Sequence, residues 1–519
     1  MIPSRRVLAE AEAINERLGH ENLGFLSESH GFMPREPPLL ALPASHKAWD
    51  DVAAQLPELI RTLDLRRALG AMAVLGAGED ELSDRDLLRA SAILSIFAYA
   101  CYYVETEPPD ALPASVTTPW HEVSRRLRRP APHLSFSDMN LYNWRLVDAG
   151  EADGIHVENL SLLIALVGNE DERRFQMTPV EAVARLAPSV GAIVRAQEAV
   201  AADDARALEH ELMGLADVLH DVTAVTFAKV DPNSYSPTYV DPVVWGKSVA
   251  PFATPWDPAV PGPSGTAIPS FTLLDVLFGR TYETKIGRET NRARSWFPPH
   301  WQAFLGAVQS TELTVSEYVS RRGDRALRGL FQEALDAYAG DSGLLARHRL
   351  KTYGYLDLSF KAGRTKTLGG IGGGFAERVW DSTDGELELA RQEPTAEARR
   401  PGSTFASRRF GRCAATTPRG SAMWCSMPRG PGSAISRAAA APCCPRTQTT
   451  SCDARCARCV PAATRRSSCP CCGARRSRGV TAIGARPSCR WRPCCDSDRS
   501  ARCSATSPSA CIRSPTTTG

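Results

Sequence analysis

A change of composition near residue 400 limits most strongly what this chain can fold into. Residues 401–519 contain no leucine, lysine, glutamate, histidine, asparagine or tyrosine. They hold 15 of the 16 cysteines, 20 arginines and three aspartates, which gives them a formal net charge of +17 and leaves −14 for residues 1–400. A packed core needs large apolar side chains at a regular period. We therefore expect a folded core only in the first 400 residues.

The tail, residues 395–519, is interpreted as a non-native or disordered extension. Its mixture of Arg, Ala, Pro, Ser, Cys, Thr and Gly is typical of a GC-rich gene read in the wrong frame, and the leading hypothesis is a frameshift near residues 390–405. One alternative is low-complexity disorder with a bias for RNA. The other is a zinc module, although Cys456 and Cys459 have neither a second well-spaced pair nor a histidine beside them.

The body, residues 1–394, has a single cysteine, Cys101, which is typical of a reducing compartment rather than of a secreted disulfide scaffold. The first residues, MIPSRRVLAEAEAINERLG, lack the apolar core of a signal peptide. The longest apolar run, residues 90–104, has 15 residues, whereas a membrane span needs about 20. We therefore expect a cytoplasmic, monomeric protein with neither a membrane nor a nucleic-acid partner.

Helical periodicity dominates the body, and no run of alternating β-branched residues demands a sheet. We therefore predict an all-α fold, a helical bundle. Long Pro- or Gly-rich loops are expected at 105–119, 247–269 and 367–374, and two such loops in a bundle can enclose a ligand. The predicted helices are a stripe over 56–72 and the segments 84–104, 179–201, 204–225, 271–279, 300–308, 325–338 and 344–358.

Local motifs for common chemistries are missing from the sequence. It has no GxSxG elbow, no GxxxxGK[ST] loop and no HExxH pair. A single axial histidine for haem needs no neighbouring ligand, and His220 and His348 lie on predicted helices. On spacing alone, however, each is more often an ordinary core or surface histidine.

Five stretches occur in a distinctive order. They are LSFSDMNLYNW (134–144), GPSGTAIPSFTLLDVLFG (262–279), WFPPHWQAFL (296–305), LLARHRLKTYGYL (344–356) and GGIGGG (369–374). In this order and at these intervals they resemble the indoleamine 2,3-dioxygenase family, over about residues 15–380. Each motif alone is weak, but five in register are specific enough to favour His348 as a ligand.

The resemblance implies a helical bundle that encloses haem b, with residues 1–130 as a small N-terminal helical part and residues 131–380 as the haem-binding catalytic domain. His348 would be the proximal ligand of the haem iron. The implied substrates are O2 and a small-molecule indole, and the implied reaction is cleavage of the C2=C3 bond of L-tryptophan or a related indole to an N-formylkynurenine-type product.

The resemblance also implies roles for residues around the substrate. Phe136 and Met139 match the pocket walls against the indole, and Gly265, Thr266 and Ala267 match the loop beside substrate and haem. Asp275 matches a helix acid that either supports the haem site or acts as a cap. Of Met177, Thr178 and Pro179, which share one uncertain register, only Thr178 carries a hydroxyl, and it is predicted to hydrogen-bond to O2 as the catalytic side chain.

One departure from the family bears on the substrate. Members that use tryptophan pair its carboxylate with an arginine, but residues 231–247 contain none, and the matching position falls near Thr238 or Tyr239. Lys247 or an arginine from elsewhere would have to replace it, unless the substrate lacks a free carboxylate. The alternative functions are therefore a relative that oxidises or rearranges a modified indole, like the pyrrolnitrin-pathway enzyme, and a non-catalytic haem-binding protein.

Overall fold

Helices form almost all of the regular structure in the computed structural model, which describes residues 1–151, 154–280 and 285–361. All of these belong to one compact unit. The tail and the glycine loop at 367–374 lie outside the described residues.

The α-helices, each with its bounds, are α1 (Pro3–Leu18), α2 (Lys47–Ala54), α3 (Leu56–Arg61), α4 (Leu65–Ala71), α5 (Leu87–Tyr103), α6 (Ala114–Arg126), α7 (Glu170–Arg185), α8 (Pro188–Ala201), α9 (Ala205–Val225), α10 (Pro242–Val244), α11 (Pro269–Leu277), α12 (Lys285–Arg294), α13 (Pro299–Gln309), α14 (Val315–Arg322), α15 (Arg325–Ala339) and α16 (Leu344–Lys361). The described residues also include short π-helical turns at Ser137–Leu141 and Trp245–Val249 and 3-10 turns at Ala250–Ala253 and Gly265–Ala267.

The predicted all-α class is confirmed, and several helices begin where polar caps stand. The Asp204 carboxylate accepts the N–H of Ala207 at the start of α9. Thr314 and Glu317 form a reciprocal capping box at the start of α14. Such caps satisfy N–H groups that have no partner within the helix.

Two predicted helices are wrong as single elements. The stripe over 56–72 breaks into α3 and α4 at Leu63, which has a left-handed φ of 59° and is 59% exposed. The segment 179–201 is divided between α7 and α8, because α7 runs through Pro179 and ends at Arg185. Proline removes one helix hydrogen bond, and here the surrounding packing outweighs that loss.

Two further details differ from the sequence prediction. The loop at 105–119 is shorter, because α6 begins at Ala114 and contains Pro119. A small antiparallel pair joins β1 (Trp144–Leu146) to β2 (Leu160–Leu162), with Arg145 opposite Ser161. Three-residue strands are too short to give an alternating pattern that the sequence would reveal.

The buried apolar residues form two clusters. One combines residues of α1, α7–α9, α11 and α13–α15, and the other combines α2–α6 with residues around 240–253. Both clusters draw residues from either side of residue 130, and the domain boundary there stays a prediction. None of the helices in the described part of the chain is long and apolar enough to cross a bilayer.

Candidate functional site

His348 lies on α16, and its ring is held between two phenylalanine rings. The ring centroid lies 5.5 Å from that of Phe271 on α11 and 6.0 Å from that of Phe227, which follows α9. Both contacts are edge-on, with interplanar angles of 80° and 65°. Residues from three elements that are distant in sequence therefore pack two aromatic rings against one imidazole.

Gly265 lies against the same imidazole. A Cβ added to Gly265 would lie 2.9 Å from Cε1 and 3.0 Å from Nε2 of His348, closer than real Cβ atoms approach. Only glycine leaves this side of the ring clear. The structure thus brings Gly265 and Phe271 of the 262–279 stretch together with His348 of the 344–356 stretch.

The chemistry of His348 fits an axial haem ligand. Burial lowers the pKa of His348 to about 4, so the imidazole is neutral at pH 7, which is the form that binds metals. Within residues 1–151, 154–280 and 285–361, no group of three or more His, Cys, Asp or Glu side chains is placed to hold a metal ion. A metal at His348 would depend on one protein ligand, as haem iron can.

A cleft lies beside the turn that contains Gly265. Phe136 and Ala267 both line it, and so does Gly262. The cleft contains about 710 Å³ of empty space, part of it open to solvent. Phe136 and Ala267, predicted at different parts of the substrate pocket, therefore share one cavity.

A buried ion pair holds the segment that carries Phe136. Asp138, which is 1% exposed, accepts two hydrogen bonds from Arg129 at 2.7 and 2.9 Å and one from Ser91 at 2.7 Å. It also accepts the N–H and the hydroxyl of Ser135. Burial opposes ionisation, yet the Arg129 charge and these hydrogen bonds outweigh it and lower the pKa of Asp138. Asp138 is therefore ionised, and its hydrogen bonds hold the start of the Ser137–Leu141 turn in place.

Met139 and Thr178 occupy other surroundings. Met139 lines a second, smaller cavity with Gln176 and Phe252, apart from the Phe136 cleft. Thr178 is buried on α7, and its hydroxyl donates to the Arg174 carbonyl at 2.7 Å. The Thr178 hydroxyl therefore donates its hydrogen bond within α7. Its predicted hydrogen bond to O2 stays a prediction.

Asp275 belongs to a buried network on α11. Its carboxylate accepts a hydrogen bond from the Tyr338 hydroxyl at 2.5 Å and forms an ion pair with Arg280 at 2.8 Å. These partners join α11 to α15. Asp275 thus has a structural task that the sequence did not reveal, and its predicted support of the haem site stays a prediction. Thr266 pairs its hydroxyl with that of Ser264 at 2.8 Å in the adjoining turn.

The segment 231–247 packs along α16. Lys351 pairs with Asp231 at 2.6 Å, and the Tyr355 hydroxyl donates to the Val240 carbonyl at 3.2 Å. Lys247, considered as a substitute for the missing arginine, is exposed. A buried carboxylate site is therefore not formed by Lys247 in this arrangement.

The sequence reasoning missed Phe227 and the Arg129–Asp138 pair. Phe227 stands outside any periodic stripe, and no local signal marks it. Asp138 did carry a signal, because Ser135 and Asp138 have the S-x-x-D spacing of a capping box, and their reciprocal hydrogen bonds are formed.

Comparison with known proteins finds one family. The family model described as Indoleamine 2,3-dioxygenase matches residues 25–262, a range that includes Phe136, Met139 and Thr178 and ends before Gly265 and His348. Indoleamine 2,3-dioxygenase 2 of Homo sapiens is 26% identical over 335 residues, covering 60% of this chain and 79% of that protein.

Two further relatives extend the comparison. Indoleamine 2,3-dioxygenase 1 of Rattus norvegicus is 25% identical over 357 residues, covering 64% of this chain and 81% of that protein. A protein of Fusarium equiseti named 6-hydroxytryptophan 2,3-dioxygenase is 26% identical over 151 residues, covering 29% of this chain and 36% of that protein. Together with the family match over residues 25–262, these relatives show what the chain is similar to: proteins of the indoleamine 2,3-dioxygenase family.

Proposed function

We propose that this chain is a haem-dependent dioxygenase that cleaves the indole C2=C3 bond of L-tryptophan or a related indole with O2, giving an N-formylkynurenine-type product. The observation that carries the proposal is the neutral His348 imidazole, held between Phe227 and Phe271 with Gly265 against its edge. Similarity to this family supplies the reaction class.

His348 would hold haem b through one ring nitrogen. The haem iron, when bound, supplies the O2 chemistry, while the protein supplies the ligand, a dry surface and orientation of the substrate. Phe227 and Phe271 pack against the imidazole, and its burial favours the neutral form. Phe136 and Ala267 offer the apolar walls against which an indole ring would pack.

Thr178 and Asp275 have more limited proposed roles. For Thr178 to donate to O2, its hydroxyl would first have to leave the Arg174 carbonyl. We therefore propose Thr178 as a polar contact near the substrate rather than as an obligatory proton donor. Asp275 would support the site by keeping α11, and with it Phe271, in place through Tyr338. The monomeric state and the cytoplasmic location stay predictions.

Absorption spectroscopy of the full-length chain loaded with haem tests the proposal. We expect a Soret band that His348→Ala abolishes and that His220→Ala leaves intact, because His220 is an exposed histidine on α9. O2 uptake with L-tryptophan and appearance of the kynurenine-type product would follow. A Soret band unaffected by His348→Ala would refute the haem assignment.

A modified indole is the second candidate substrate. The name of the Fusarium relative refers to a hydroxylated tryptophan, which keeps this reading open without favouring it. Parallel O2-uptake assays with L-tryptophan and ring-substituted indoles separate the two. Haem binding without O2 uptake on any indole would instead identify a non-catalytic haem protein.

A further inference from the structure

Trp256 packs among aromatic side chains of two helices. It lies in the predicted loop 247–269, and its ring centroid is 4.8 Å from that of Tyr102 on α5, in a stacked arrangement with an interplanar angle of 20°. The ring of Tyr99, also on α5, lies 4.6 Å away, and that of Trp120 on α6 lies 6.3 Å away. Aromatic rings at such separations attract one another beyond the burial of their apolar area. We call these four side chains the aromatic cluster.

The chain after Trp256 passes through solvent and returns to the cleft within a few residues. Residues 257–259 are exposed, whereas Pro261 and Gly262 are buried and line the cleft. Three of the seven residues from 257 to 263 are prolines, each of which fixes its own φ. A connection this short and stiff ties the position of Gly262 to that of Trp256, although Trp256 itself is not among the described residues that line the cleft.

The aromatic cluster also supports a second segment of the cleft wall. The indole N–H of Trp120 donates to the Ser95 hydroxyl at 2.9 Å, and that hydroxyl donates to the carbonyl of His133 at 3.2 Å. His133 lines the cleft, as does Phe136. One cluster of rings on α5 and α6 therefore holds two parts of the wall that are distant in sequence.

The residues that follow Gly262 contact the candidate haem ligand. Ala267 lines the cleft, and Gly265 lies against the His348 ring. A Cβ at Gly265 would lie 2.9 Å from Cε1 of that ring, so the backbone approaches the imidazole closely. A shift of this segment would therefore change the space beside the imidazole and the shape of the cleft together.

We propose that Trp256 is a positioning residue. Its place in the aromatic cluster sets where residues 262–267 lie, and through them the affinity of the cleft for its small-molecule ligand and the retention of a group bound at His348. The proposal rests on the proposed function for the identity of those two ligands, an indole and haem. The positioning itself concerns only the chain and needs neither ligand nor turnover.

Hydrogen–deuterium exchange of the full-length chain, measured by mass spectrometry of its peptides, tests the positioning directly. We expect Trp256→Ala to speed exchange in residues 257–267 by about tenfold or more, because three aromatic contacts are lost and each contributes roughly a two- to tenfold factor. Peptides from α8 and α9 should exchange as before. The backbone N–H groups that report on the segment are those of Val260 to the Asp257 carbonyl at 3.1 Å, Ser264 to Gly262 at 2.8 Å and Ala267 to Ser264 at 2.9 Å.

Two further substitutions test whether the contact itself is responsible. Trp256→Phe keeps a ring that can stack on Tyr102, and it should restore most of the protection. Tyr102→Leu removes the stacked partner from α5 and leaves the sequence of the loop intact. It should reproduce the faster exchange in residues 257–267, because the loop then loses the same contact from the other side.

Trp49→Leu is the matched control, because it removes a fully buried indole from the apolar cluster that contains α2–α6. It should lower the free energy of unfolding by leaving a cavity, yet leave exchange in residues 257–267 unchanged. Unchanged exchange in Trp256→Ala would overturn the proposal. An equal increase in residues 257–267 and in α8 and α9 would overturn it as well, because the effect would then be a general loss of stability.

Ligand measurements on the haem-loaded chain complete the test. Trp256→Ala should raise KM for the indole about three- to tenfold and leave kcat within about twofold, because a loosened wall has to be ordered again whenever the ligand binds. Haem transfer to apomyoglobin should be faster too. Trp49→Leu should change neither KM nor haem transfer at temperatures where it is folded. If Trp256→Ala speeds exchange but leaves both KM and haem transfer unchanged, the proposal is wrong.

The outcome is separable from that of the proposed function. A chain with no Soret band in which Trp256→Ala still speeds exchange in residues 257–267 refutes the proposed function and supports the positioning role. A chain that binds haem and consumes O2, but in which Trp256→Ala alters neither exchange nor KM, refutes the positioning role alone.

Discussion

Replacing Asp138 with alanine tests whether a buried ion pair holds the segment that carries Phe136. The carboxylate is 1% exposed and accepts five hydrogen bonds, from Ser91, Arg129 and Ser135. Without it, the one hydrogen bond left to the Arg129 guanidinium among the described residues is that to the His133 carbonyl at 3.3 Å. The substitution therefore leaves a largely buried guanidinium without a counter-charge.

The expected cost is large relative to the stability of a domain. Breaking a buried pair by removing one partner typically costs about 3–5 kcal/mol, because the remaining charge stays desolvated. The free energy of unfolding of a whole domain is typically about 5–15 kcal/mol. Asp138→Asn keeps the shape and should cost less, since its single amide oxygen can still accept the two hydrogen bonds from Ser135. Removing Arg129 as well should reverse part of the loss.

Urea unfolding followed by circular dichroism measures these differences. Glu58→Gln, which removes an exposed partner of Arg61, is the control and should leave the midpoint unchanged. The folded-state pKa of Asp138 is lowered, so its contribution is complete at neutral pH and is lost as the pH falls below the unfolded value of about 4. The variant should lack this acid-dependent loss. A cost of Asp138→Ala below about 1 kcal/mol would refute the reasoning.

Three further predictions concern single residues. Gly265→Val should speed the loss of haem about tenfold, because its side chain would overpack against His348 at a cost of about 1–3 kcal/mol. Gly329→Ala is the control and should not change the rate, because the space around its Cβ is open. The rate of haem transfer to apomyoglobin measures both variants. Burial lowers the pKa of His133 to about 4. The free energy of unfolding should therefore fall by about 3 kcal/mol as the pH drops from about 6.5 to 4, because the unfolded chain takes up the proton first. His133→Gln should not show this pH-dependent loss when its unfolding is measured over the same range. Burial raises the pKa of Cys101 to about 11, so iodoacetamide at pH 8 should label it only after denaturation; native labelling, seen by peptide mass spectrometry, would contradict this.

The sequence predicted those helices whose apolar stripe is long and uninterrupted. α9 follows directly from Leu208, Leu212, Leu215 and Leu219 at helical spacing, and each of them is buried. The break at Leu63 was not predictable in the same way, because neither glycine nor proline marks it. There the chain takes a left-handed turn at a leucine, and only the packing of α3 and α4 decides where it falls.

The sequence likewise predicted some residues of the site and missed others. The resemblance brought the 262–279 stretch and His348 into one hypothesis, and the structure places the ring of Phe271, within that stretch, in contact with the His348 ring. Phe227 could not be found in this way, because its importance depends on neighbours distant in sequence.

The segment 262–267 contributes both to the surroundings of His348 and to the cleft. Gly265 faces the His348 ring, while Gly262 and Ala267 line the cleft that also contains Phe136. A substitution in this turn should therefore alter both haem retention and ligand affinity, because one short backbone segment forms the two walls.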